Sequence, residues 1–255
     1  MSERARLALF LVGAVGFGFF LVAGLRGLPA SGRGGSAYAD AVNSTTVPLR
    51  QTVNAVAAVV MDYRGFDTLN EEFILFAAVT GVTLLLREAR SETGAEVPRG
   101  AAFDPEPPGT TDAIRVWTLG LVAPCLLLGL YVVAHGHLTP GGGFQGGVVL
   151  AGAMVLVYLA GASLRLRRAN PMALLDGAEG LGVGGFVCVG LLGLLVGQCF
   201  MQNVLPFGTE GQLLSAGFLP VANIFVGLAV GVGIVLILAE LLEQAIASRN
   251  GGGDE

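Results

Sequence analysis

The chain has 255 residues, of which 53% are hydrophobic and only 13% charged, with a mean hydropathy of +0.72 and a net charge of −5. A water-facing domain carries about a quarter charged residues and a disordered chain lacks this apolar content, so both classes are excluded. All 14 cations are arginine, which rules out lysine chemistry (Schiff bases, the phosphate-loop lysine), and no basic cluster suggests nucleic acid.

What remains is an all-α, polytopic integral membrane helix bundle. Crossing a bilayer takes about 20 apolar residues, and seven runs are candidates for about seven transmembrane helices: Leu7–Leu25, Val47–Met61, Phe73–Leu86, Val116–Ala134, Phe144–Leu164, Leu181–Phe200 and Phe218–Leu242. A first run preceded by Arg4 and Arg6 also permits a signal-peptide reading with a cleavage site at Ala37-Tyr38-Ala39. The length of the run and the distance of the site favour a retained span. The second and third runs are short, which predicts shielding by protein rather than lipid.

Between those two short runs lies a polar knot, Asp62 to Glu72, carrying Asp62, Arg64, Asp67, Glu71 and Glu72. Acids at membrane depth are costly and call for a functional hypothesis. One reading is a proton or cation relay tuned by Arg64. The other is structural: Thr68-x-x-Glu71 as a capping box opening the third span, with Asp67 as a second cap. The two are compatible.

A Pro-, Gly- and acid-rich stretch (Pro98, Pro105, Pro107, Pro108) then divides the chain. The predicted organisation is a three-helix membrane module over 1–90, a cytoplasmic linker over 91–112, a four-helix membrane domain over 113–245 and a flexible tail over 246–255. With seven spans, eleven arginines fall on one side and three (Arg4, Arg6, Arg64) on the other. The positive-inside rule then puts the N-terminus outside and the C-terminus in the cytoplasm.

The fourth and fifth runs are joined by His135-Gly136-His137-Leu138-Thr139-Pro140-Gly141-Gly142-Gly143-Phe144-Gln145-Gly146-Gly147. Pro140 followed by Gly141, Gly142 and Gly143 allows a tight turn with positive φ. Gly143, Gly147 and Ala151 form a small-residue face for close helix contact. The missing strand and lysine argue against a phosphate loop. His135-x-His137 lacks a third ligand for a metal, while His137 is a candidate titrating group at a membrane helix end.

Asn170-Pro171 reads as a helix start, which places Asp176 in the following turns and Glu179 about two turns in. There Glu179 either offsets the helix dipole or serves as a buried titratable group on an ion route. The pairs Gly180/Gly184, Gly193/Gly197 and Gly227/Gly231 repeat the close-packing spacing. Cys125, Cys188 and Cys199 share no metal-type spacing and read as small packing residues.

The segment His137–Gly147, together with Gly197-Gln198-x-Phe200 and Ser215-Ala216-Gly217-Phe218-Leu219-Pro220 followed by Asn223-Ile224, resembles the MnhB-type domain found in the B-type subunits of Mrp antiporters. The same domain occurs in related membrane-bound hydrogenase complexes. The stretch Asp62-Tyr63-Arg64-Gly65-Phe66-Asp67-Thr68-Leu69-x-Glu71 is similar to the tail of the A-type antiporter subunit and to the hydrogenase E-type subunit. Asn70 and Glu72 depart from that pattern, where a glycine and an apolar residue are usual.

The resemblance implies a multi-pass subunit of the cell (inner) membrane that is not an enzyme and needs no cofactor or metal. Its partners would be A-, C-, D-, E-, F- and G-type subunits, and its cargo Na⁺ and H⁺. It implies a contribution to the cation path and to subunit interfaces, with Asp62, Arg64, Asp67, Glu71, Glu72, His137 and Glu179 as candidates. The alternatives are the same role in a redox-driven complex of the hydrogenase type, or a purely structural subunit.

Overall fold

A computed structural model describes residues 3–28, 36–92, 111–160 and 172–251. Within them the chain is helical, with α1 at Glu3–Arg26, α2 at Ala37–Arg50, α3 at Ala55–Ala58, α4 at Gly65–Glu92, α5 at Asp112–Ala134, α6 at Gly143–Leu159, α7 at Met172–Val196 and α8 at Leu219–Gly251. The prolines of the linker, the Asn170-Pro171 start signal and the last four residues lie outside the described residues.

Two compact units emerge, Met1–Ala41 and Val42–Glu255. The first is built on α1, apolar on every face, with Phe10, Val12, Val15, Phe17, Phe19 and Phe20 all outward. A helix that is hydrophobic all round belongs in lipid or against other apolar helices. In the second unit α4, α5, α7 and α8 are long and apolar enough to cross a membrane, and α6 is a shorter apolar helix.

The second apolar run is not one helix. Pro48 has no N–H to donate, and α2 ends two residues later at Arg50, with Gln51 at φ 52°. Asn54 then caps α3, its side-chain oxygen accepting from the Ala57 N–H at 3.1 Å, and α3 runs into a π-helical turn, Val59–Tyr63. π-turns are rare and concentrate at functional sites. The third run, inside α4, presents Phe73, Ile74, Leu84 and Leu85 outward, so this chain alone does not shield it.

Helix α8 is the axis of the second unit, and glycines set how closely its neighbours approach. A Cβ on Gly147 of α6 would lie 2.8 Å from Val230 of α8, and one on Gly146 would lie 2.9 Å from the Gly129 carbonyl of α5. For α7 the contact falls at Gly182, within 2.7 Å of the Ala229 backbone, and at Gly185 against Phe225. Gly180 and Gly184 face open space. The i,i+4 spacing therefore misplaced the packing face of α7: spacing alone does not say which of several glycine rows meets the neighbour.

These contacts bring the start of α4, the end of α5, the start of α6, the end of α7 and the start of α8 to one side of the bundle, together with Gln51–Arg64. Residues Ala57, Met61, Leu69, Phe186, Met201, Phe218 and Leu219 form the apolar core beneath that side.

Candidate functional site

Three groupings of polar residues stand out, two at that side and one in the interior. The first centres on Asp62, in the π-turn. Its carboxylate lies 2.9 Å from Arg50 Nε and accepts a hydrogen bond from Asn203 Nδ2 at 3.0 Å. The Arg50 N–H does not point at the oxygen, so that contact is an ion pair rather than an aligned hydrogen bond. The guanidinium also lies 5.3 Å from the ring centres of Tyr63 and Phe207, a cation–π cradle. Burial pushes the Asp62 carboxyl up from the usual carboxylate range, and the Asn203 amide and Arg50 charge oppose it.

The remaining knot residues do not join Asp62. Arg64 and Asp67 pair at 2.5 Å on an exposed surface, and Glu71 is exposed. The expected capping box is not formed. α4 begins at Gly65, directly after the π-turn, so Thr68 is already inside it and its hydroxyl donates to the Val60 carbonyl at 2.5 Å.

The second grouping is the glycine loop. Gly141 and Gly142 adopt φ of 140° and 139°, a region closed to other residues without strain. Asn223 of α8 holds the loop, its Oδ1 accepting the Gly143 N–H at 2.7 Å while its Nδ2 donates to Leu219 O at 2.9 Å. From the other flank Asn54 Nδ2 donates to Gly136 O at 2.7 Å and Thr139 O at 2.9 Å, and the Thr52 hydroxyl donates to His137 O.

His137 is fully buried in this loop, with Nε2 3.4 Å from Gln212 O and Nδ1 without a partner. Burial pushes its imidazole down. The Gln212 carbonyl opposes this, the neighbouring His135 adds to it, and the Leu213 backbone opposes it. His135 instead stacks on Tyr131 at 4.1 Å.

The third grouping lies between α4, α7 and α8. Glu72 is completely buried and neither of its carboxylate oxygens has a hydrogen-bond partner. Glu179 is 5% exposed, with Oε1 unpartnered and 3.4 Å from the place a Cβ on Gly233 would occupy. Leu75 and Val79 border the same spot. Burying a carboxyl group without a hydrogen-bond partner is costly, which sets these two acids apart from ordinary packing residues.

Asn203, Asn54 and Thr52 escaped notice in the amino-acid sequence, and Asn223 entered only through the family resemblance, because nothing local marks their long-range partners. Glu240, 1% exposed on α8, carried a signal that was legible: it is an acid inside the last apolar run.

A helix bundle with buried carboxylates and apolar outer faces defines a multi-pass membrane protein that keeps ionisable groups in its interior. Residues 113–236 match the model of the domain related to the MnhB subunit of Na⁺/H⁺ antiporters. The B-type subunit of the Na⁺/H⁺ antiporter of Alkalihalophilus pseudofirmus is 30% identical over 122 residues, which is 45% of this chain and 83% of that one. The chain belongs to this MnhB-related family.

Among solved structures, a chain of the archaeal membrane-bound sulfane sulfur reductase, a respiratory membrane complex, superposes with a TM-score of 0.71 and 30% identity. The match covers 93% of this chain and 98% of that one. A chain of the Mrp complex from a Dietzia species gives a TM-score of 0.70 at 23% identity, with 94% of this chain on 26% of that longer one. The latter likeness is one of fold.

Proposed function

We propose that this chain is a membrane subunit of a multisubunit monovalent cation (Na⁺)/proton antiporter, contributing to the cation path and to subunit interfaces. The observation that carries the reading is the match to the B-type antiporter subunit over the helices that enclose the glycine loop. Asp62, Glu72 and Glu179 are the groups best placed on an ion route because they are buried. Arg64, Asp67 and Glu71 face outward and serve contacts with neighbouring subunits of the A-, C-, D-, E-, F- and G-types. His137 serves the loop from a buried, neutral state. The division into an A-tail-like module (1–90), a linker (91–112) and an MnhB-type domain (113–245) belongs to the same reading.

The break at Gln51 alters the expected topology. With Gln51–Arg64 turning at one side, the crossing helices of the second unit are α4, α5, α6, α7 and α8, so α8 runs away from the glycine-loop side. Arg87, Arg90, Arg115 and Arg249 then lie in the helix ends opposite the glycine loop, against Arg50 and Arg64 on its side, and the positive-inside rule makes the side with more arginine cytoplasmic. This reading keeps the C-terminal end of α8 inside.

The test is Na⁺-dependent proton exchange in everted vesicles carrying the whole complex, wild type against Asp62→Asn, with assembly followed on native gels. Lost exchange in an assembled complex supports the reading, and unchanged exchange removes Asp62 from the route. The likeness to a respiratory complex chain favours a second reading, a redox-driven pump. Proton movement that requires an electron donor selects it.

A further inference from the structure

Glu72, Glu179 and Glu240 sit at graded depths along one interior seam. Glu72 lies seven residues from the start of α4 at Gly65, about 10 Å in from the glycine-loop side at 1.5 Å per residue. Glu179 Oε1 meets the Gly233 position, fourteen residues along α8 and so about 21 Å in. Glu240 follows Gly233 by seven residues, on the same face of α8 and about 10 Å deeper. All three are buried within the chain itself, at 0%, 5% and 1% exposure.

The same faces tie the three together. Leu75 and Val79 lie one and two turns after Glu72 on α4, and both border the Gly233 position beside Glu179. Gln244, one turn past Glu240, carries a buried oxygen without a hydrogen-bond partner, as Glu72 and Glu179 do. The charges nearest the seam are Glu71 beside Glu72 and Asp176 one turn before Glu179.

We propose that Glu72, Glu179 and Glu240 form a proton-carrying line through the interior of this chain, from the glycine-loop side toward the C-terminal end of α8. This deepens the antiporter reading and rests on it, assigning to this subunit a route for H⁺ and leaving the metal cation elsewhere. The walls decide between the two ions. Dehydrating a metal cation takes a ring of oxygen ligands, whereas Leu75, Val79 and Gly233 offer none from their side chains. A proton needs only an acid and an acceptor. Each hop breaks one carboxylic O–H bond and forms another, leaving the donor as carboxylate until it is reloaded. Steps of about 10 Å exceed a direct hydrogen bond, so water must relay the proton between the acids.

Gly233 is the narrow point. A Cβ there would stand 3.1 Å from Val79, 3.4 Å from Glu179 Oε1 and 3.8 Å from Leu75, so alanine fills the gap without removing any acid.

The experiment is infrared difference spectroscopy of the purified whole complex across a pH step, paired with proton flux in proteoliposomes. The variants are Glu72→Gln, Glu179→Gln, Glu240→Gln, Gly233→Ala and, as control, the exposed Glu210→Gln. The expected result is a protonated-carboxyl carbonyl band in wild type that shrinks in Glu72→Gln and in Glu179→Gln. Proton flux in each of the three amide variants falls by roughly 10²-fold, the scale of a missing positioned proton-transfer group. Gly233→Ala slows flux and keeps the band, and Glu210→Gln changes neither.

A band unchanged in both Glu72→Gln and Glu179→Gln overturns the line. So does wild-type flux in an assembled Glu179→Gln or Glu240→Gln complex, or in Gly233→Ala if the amide variants fail to assemble. If wild type shows no cation-coupled exchange, the antiporter reading fails by itself, and the carbonyl band still decides whether Glu72 and Glu179 load protons.

Discussion

Asn223 Oδ1 accepts the Gly143 N–H at 2.7 Å, joining two residues 80 positions apart. The bond satisfies one of the free donors at the start of α6, which has no side-chain cap of its own. Its geometry is possible because Gly136 and Gly142 have no Cβ; either would place one 2.8 Å from Asn223 Oδ1.

Asn223→Leu leaves a buried N–H unpaired, at a cost of about 1–3 kcal/mol. A lowered unfolding midpoint of the detergent-solubilised complex checks this. Gly142→Ala combines the same clash with a φ of 139° and is expected to lower the midpoint too. Gly120→Ala, whose Cβ meets nothing, serves as the neutral comparison.

The two ion pairs of the knot differ in worth. Arg64–Asp67 is exposed on both partners, 60% and 47%, and such pairs contribute about 0–1 kcal/mol. Asp62 is 5% exposed and holds Arg50 and Asn203 at once. Asp62→Ala is therefore expected to lower the midpoint clearly and Arg64→Ala scarcely at all. Equal effects would mean that neighbouring subunits cover Arg64 and Asp67.

The glycine register of α7 gives a sharper contrast. Gly182→Val drives a side chain into the Ala229 backbone 2.7 Å away, whereas Gly180→Val points into open space. Loss of assembly on a native gel is expected for the first and not for the second.

His137 predicts a pH dependence whose sign follows from its lowered value. The unfolded chain binds a proton near the ordinary value of about 6.5, while the folded chain resists it. Stability thus starts to fall as pH drops below that ordinary value and goes on falling to the folded-state value. His137→Gln is expected to flatten the midpoint-against-pH curve in that window.

Topology is open to direct labelling. Glu210→Cys, exposed on the glycine-loop side, is expected in a cysteine-free background to react with a membrane-impermeant maleimide in right-side-out vesicles and to be shielded in everted ones. The opposite pattern would put the glycine-loop side in the cytoplasm.

Much of this is legible in the amino-acid sequence. Long apolar runs declare membrane helices because bilayer thickness fixes their length, and α4, α5, α7 and α8 lie where those runs are. The break at Gln51 was not legible, because hydropathy averages over a window and one residue at positive φ leaves no trace in it. Glu71 and Glu72 show the same limit: adjacent acids look alike in sequence, yet the helix turns one outward and buries the other. The partners of Asp62 were hidden for another reason, since Asn203 lies 141 residues away and only the closed bundle brings them together.

Asn54 and Thr52 bind three carbonyls of the glycine loop, across a seam between the segment before residue 93 and the MnhB-related part at 113–236. Carrying both on one polypeptide replaces a bimolecular encounter by an intramolecular one. The local concentration of one half around the other is then fixed by the connecting chain, not by expression level. Unequal synthesis cannot leave the loop carbonyls bare, and every copy that reaches the membrane carries its own clamp. Severing the chain within 93–110 would make closure of that loop depend on how much of each half the cell makes.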